Sequence, residues 1–125
     1  MKRFFILFLC AVLCLNASAE SKKAKSFVVN TEKLGKEVMG YAGTTPVEIY
    51  VVDGKIDKIV ALPNAETPSF FQRVKESSIF TALTGKTVKE ASEVKLDAVS
   101  GATYSSKAVI ENIRLGLKEA AKKAK

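Results

Sequence analysis

Apolar and polar positions alternate most clearly over Val47–Val52. Val47, Ile49 and Val51 fall on one face of an extended chain, and Glu48 and Tyr50 fall on the other. Asp53-Gly54 follows, a dipeptide suited to a two-residue hairpin turn, and Ile56–Leu62 reads as the return strand, ended by Pro63-Asn64. The second clear pattern is helical and covers Lys107–Lys123. Val109, Ile113, Leu117 and Ala120 make an apolar stripe, with Lys107, Glu111, Arg114, Lys118 and Lys122 on the opposite side. Ser105 or Ser106 is placed to cap its start.

The remaining segments are shorter. Ser69–Leu83 reads as helix in one or two pieces, closed by Gly85. Thr31–Met39 has Leu34 and Val38 four apart and reads as a short helix, against which Gly35 counts. Phe27–Asn30 and Val94–Leu96 read as strands, and Gly40–Gly43 as a turn. The expected architecture is α+β: a small antiparallel sheet with a central hairpin, packed against helices that include a C-terminal amphipathic one.

The N-terminus changes the picture. Lys2 and Arg3 precede an apolar run of 12 residues, Phe4–Leu15, and Ala17-Ser18-Ala19 then supplies small residues for signal peptidase. The run falls short of the roughly 20 residues of a membrane-crossing helix. The chain is therefore expected to be exported, periplasmic or otherwise extracytoplasmic, and to lose residues 1–19. Retention as an uncleaved anchor is the alternative. Residues 20–30 then form a polar leader and residues 31–125 a single domain, with no transmembrane segment in the mature chain.

Cleavage would remove both cysteines, Cys10 and Cys14, and the chain has no His and no Trp. The mature domain thus lacks the thiolate and imidazole ligands of zinc, haem and iron–sulfur sites. It equally lacks the Ser-His-Asp and Cys-His machinery of nucleophilic catalysis. Redox chemistry would have to come from an organic cofactor. The formal charge of +7 is concentrated at the two ends, including Lys22-Lys23-Ala24-Lys25 and Lys122-Lys123-Ala124-Lys125, and reads as solubilising tails. No basic run is interleaved with aromatics, so nucleic acid is not an expected partner.

Candidate chemistry lies in Asp97-Ala98-Val99-Ser100-Gly101-Ala102-Thr103-Tyr104-Ser105-Ser106, just ahead of the amphipathic helix. Gly101 lets a ligand approach the backbone, Ala102 is small, and Ser100, Thr103, Ser105 and Ser106 supply hydroxyls. The N–H groups of a helix start attract an anion. Residues alone leave two readings open: a phosphate cradle, or an ordinary Ser/Thr-rich helix cap.

Asp97-x-x-Ser100-Gly101-Ala102-Thr103 resembles the flavinylation motif of the FMN-binding domain family. That family includes the covalent-FMN subunits of sodium-pumping NADH:quinone reductase and of the Rnf electron-transport complex. The likeness continues through Tyr104-Ser105-Ser106. Upstream it takes in Gly40-Tyr41, the hairpin with Asp53-Gly54-Lys55-Ile56, and Glu66-Thr67-Pro68, in family order. Where larger relatives tend to continue Glu-Thr-Pro with Gly-Leu-Gly, this chain has Ser69-Phe70-Phe71. It looks like a small free-standing member.

The resemblance implies FMN joined through its phosphate to the Thr103 hydroxyl by a flavin transferase that uses FAD, with Asp97 serving recognition by that transferase or, alternatively, hydrogen bonding that shapes the turn. It implies cofactor contacts from Ser100, Gly101, Ala102, Tyr104, Ser105, Glu66 and Thr67, with a turn role before Pro68 as the competing reading of Thr67. Tyr41, Phe70 and Phe71 are candidates for stacking on the flavin, with core packing as the competing role of each. The function implied is an electron carrier that exchanges electrons with membrane or exported redox proteins. Two alternatives remain: a module that binds a flavin or another phosphate ligand without a covalent bond, and a flavin-dependent reductase of a small substrate.

Overall fold

A computed structural model describes residues 26–123. The expectations for residues 1–25, the export signal and Lys-rich leader among them, lie outside the described residues. Three strands, β1 (Ser26–Asn30), β2 (Val47–Val52) and β3 (Lys55–Ala61), form an antiparallel sheet in the order β1-β2-β3. The helices are α1 (Pro68–Lys75), α2 (Val88–Ser92) and α3 (Thr103–Lys123), with a 3-10 turn at Ser78–Phe80. The expected α+β fold is the observed one.

The hairpin turn has φ of 55° at Asp53 and 81° at Gly54, the left-handed pair that a two-residue turn demands. Tyr50 pairs with Lys58 and Val51 with Ile56, so a bulge at this point leaves Asp57 as an extra residue. The bulge turns Ile56 and Ile59, three apart in sequence, onto the same buried face as Ile49 and Val51. On the outer face the Lys58 ammonium lies 4.7 Å from the Tyr50 ring centre.

Helix α3 packs across β2 and against α2, and it also touches β1 and α1. Val109, Ile113, Leu117 and Ala120 are all buried, as their spacing predicts. Gly116 permits the close approach: a Cβ there would stand 2.6 Å from Ile49 Cδ1 and 3.0 Å from Thr31 Cγ2.

Three local expectations are corrected. Thr31–Met39 is a string of turns, not a helix. Thr31 is tied to β2, its hydroxyl accepting from Val47 N at 2.9 Å and its own N–H donating to Val47 O at 3.0 Å. After one α-type bond, Gly35 N to Thr31 O, the next bonds are of the tighter i to i+3 kind. Val94–Leu96 is not a strand: Val94 and Leu96 pack on the core while their backbone joins no described sheet. Helix α3 starts a full turn earlier than Lys107, so Ser105 and Ser106 lie inside its first turn and do not cap it.

Helix α2 was not expected from the sequence. It is opened by a capping box, in which Thr87 Oγ1 accepts from Glu90 N at 3.1 Å and Glu90 Oε1 accepts from Thr87 N at 3.0 Å.

Candidate functional site

The segment Val99–Ala102 is a tight turn closed by Ala102 N donating to Val99 O at 3.0 Å. Its third residue, Gly101, has φ of 85°, a left-handed value that side-chain-bearing residues resist. Ser106 locks the turn to the helix. Its backbone N–H donates to Ala102 O at 2.9 Å, and its buried hydroxyl accepts from Val99 N at 2.9 Å. Ser106 N is thus the first amide bonded within the helix. The N–H groups of Thr103, Tyr104 and Ser105 have no acceptor among the described residues, as expected for an uncapped helix start.

Glu66, 4% exposed, holds a second loop against this helix start. Its Oε1 accepts from Tyr41 N at 2.8 Å and from the Ser105 hydroxyl. Its Oε2 accepts from Ala42 N at 2.5 Å and Gly43 N at 3.0 Å. Gly40 makes room for the carboxylate, since a Cβ there would stand 2.5 Å from Glu66 Oε1. Burial pushes the Glu66 carboxyl up. The Ser105 hydroxyl and the N–H groups of Ala42, Tyr41 and Gly43 outweigh it and hold the group below its ordinary value.

Between the two loops lies an open depression of about 330 Å³, lined by Tyr41, Phe70, Thr103 and Tyr104 together with Gly101, Ala102 and Ser105. Tyr41 and Tyr104 are 71% and 69% exposed and Phe70 is 43% exposed, so three aromatic residues line the depression beside the exposed Thr103. A larger groove of about 450 Å³ runs along the other side of α3 between Leu83, Val94, Leu96 and Leu117. Its lining is mainly aliphatic with Lys95, Arg114 and Lys118 among it, and it shares no residue with the Ser-Gly-Ala-Thr turn, so the smaller depression is the candidate site.

The structure therefore gathers Gly101, Ala102, Thr103, Tyr104, Ser105, Tyr41 and Phe70 around one depression. Ser100 sits in the adjoining turn and is exposed. Glu66 does not itself line the depression; both its oxygens are occupied by protein donors, two of them on the lining residues Tyr41 and Ser105. Thr67 is the half-buried residue ahead of Pro68 and does not line the depression; its carbonyl accepts from Phe71 N at 2.9 Å. Phe71 is a core residue, buried on α1. Asp97 is exposed in the loop before the turn. Arg73, which the sequence did not single out, lies beside the turn: its Nη1 is 2.8 Å from where a Cβ on Gly101 would stand.

The residues present suit FMN. Rings flank an open slot, and free amides and a hydroxyl at a helix start form a phosphate-sized end. A family model described as the FMN-binding domain matches residues 40–118. That span opens at the glycine that accommodates Glu66 and closes on α3. No curated protein matches the chain.

Proposed function

The chain belongs to the FMN-binding domain family and is an FMN-binding flavoprotein, and we propose that it is an exported electron carrier whose FMN is esterified through its phosphate to Thr103. The observation that carries this reading is the placement of the Thr103 hydroxyl. Thr103 is exposed in the first turn of α3 and lines the aromatic-walled depression, next to three amides with no acceptor among the described residues.

In the proposed maturation step a flavin transferase binds the loop that carries Asp97. The Thr103 oxygen forms a bond to the FMN phosphorus of FAD, the pyrophosphate bond breaks, AMP leaves, and a base on the transferase takes the hydroxyl proton. The bound flavin supplies electron transfer. The chain's own residues would hold and shield it: the α3 amides would bond the phosphate, and Tyr41, Phe70 and Tyr104 would pack against the isoalloxazine. Among the described residues, the depression is lined by no carboxylate, ammonium or imidazole. That supports a carrier over a reductase with its own acid–base pair. Donor and acceptor are then membrane or exported redox proteins that meet the flavin at its open edge.

Co-expression with a flavin transferase tests the reading. Denatured wild-type protein should retain flavin fluorescence, and Thr103→Ala should lose it. Equal labelling of the two would refute the attachment site. An unlabelled wild type that still binds FMN reversibly would establish the non-covalent alternative.

A further inference from the structure

We propose that Arg73 is the counter-ion of the FMN phosphate, an inference that rests on the phosphate being held at Thr103. Arg73 stands in the last turn of α1. Its guanidinium reaches the Gly101 turn and occupies the space that any side chain at that position would enter, with Nη1 2.8 Å from the notional Cβ. Gly101 is two residues from Thr103, so the side chain of α1 and the start of α3 converge on one spot.

Among the described residues, the positive charge at that spot is only partly compensated. Helix α3 is 21 residues long, and its first turn contains no acidic residue. Its positive end carries about half an elementary charge. A guanidinium beside it is a like-sign contact, which costs stability unless an anion lies between them. The Glu66 carboxylate touches this turn through Ser105 and offsets part of the charge, but its oxygens bond Tyr41, Ala42, Gly43 and Ser105, and it forms no ion pair with Arg73. Arg73 is exposed and forms no ion pair among the described residues.

A phosphodiester matches this pair of positive groups in charge. It carries one negative charge on two non-bridging oxygens. The planar fork of a guanidinium can bond both, which a lysine ammonium cannot match in geometry. The helix amides and Arg73 would then hold the phosphate from two sides.

The test compares wild type, Arg73→Gln and Arg73→Lys as apo proteins and after loading by a flavin transferase with FAD, with loading verified by intact mass. Thermal unfolding is followed at low and high salt. The apo Arg73→Gln protein should melt at or slightly above wild type. Loading should raise the wild-type melting temperature, with a smaller rise for Arg73→Lys and the smallest for Arg73→Gln. Added salt should shrink the wild-type rise towards that of Arg73→Gln. The ³¹P resonance of the loaded protein should also move in Arg73→Gln. Equal rises on loading and an unmoved ³¹P resonance would overturn the role of Arg73 while leaving the ester at Thr103 intact. Label that persists in Thr103→Ala would overturn the underlying reading, and this inference with it.

Discussion

Thr103 and Glu66 divide the work of the site at the residue scale. Thr103 is exposed and adds nothing to the core, so Thr103→Ala should leave the fold within about 0.5 kcal/mol of wild type while removing covalent flavin. Urea denaturation and in-gel flavin fluorescence report the two effects separately. Glu66 is the opposite case, a buried carboxylate with four donors. Glu66→Gln would present an amide N–H to backbone N–H groups. It should cost about 1–3 kcal/mol for each donor left unsatisfied and release the Tyr41 loop from the depression. The pH dependence has a definite sign. Because the folded-state value of Glu66 is lowered from 4.5, its contribution is fully present above that unfolded value. It is lost as pH falls through the lower folded value. Wild type should therefore lose its advantage over Glu66→Gln when the denaturation midpoints are measured on acidification below 4.5. An advantage that grew in acid would contradict the network.

Among the elements, the seating of α3 on the sheet holds the core together. Ile113 is 1% exposed, and Ile113→Ala should cost about 2–5 kcal/mol in chemical denaturation. Gly116→Ala sets two effects against each other. Helix propensity favours alanine by up to about 1 kcal/mol. The new Cβ would meet Ile49 Cδ1 at 2.6 Å inside the core, and overpacking costs about 1–3 kcal/mol. A net loss of stability is expected, and a stabilised variant would show that helix and sheet can separate freely. The hairpin and the stripe of α3 were legible because periodicity and turn chemistry agreed there. The bulge at Tyr50/Val51 was foreshadowed only by the spacing of Ile56 and Ile59. Thr31–Met39 carried a helix-like spacing that tertiary bonds to Val47 override. Helix α2 did have a local signal, Thr87-x-x-Glu90, which its short length concealed.

Across the whole molecule, the site joins segments far apart in sequence: the Gly40–Gly43 loop, Glu66 before α1, and the Ser100–Thr103 turn. The motif residues of the last segment were readable in the chain. The Glu66 latch and the approach of Arg73 to Gly101 were not, since each depends on side chains meeting across the fold. Export is a separate claim, and N-terminal sequencing of the protein from its native envelope should give Glu20 as the first residue; a retained Met1 would refute cleavage. The central claim is the ester at Thr103, and the most direct measurement is tandem mass spectrometry of a tryptic digest after loading by a flavin transferase. Peptide 96–107, which contains the Ser-Gly-Ala-Thr turn, should carry the added mass of FMN less water, with fragment ions placing it on Thr103. The same mass on Ser100, Ser105 or Ser106, or on no residue of this peptide, would contradict the account.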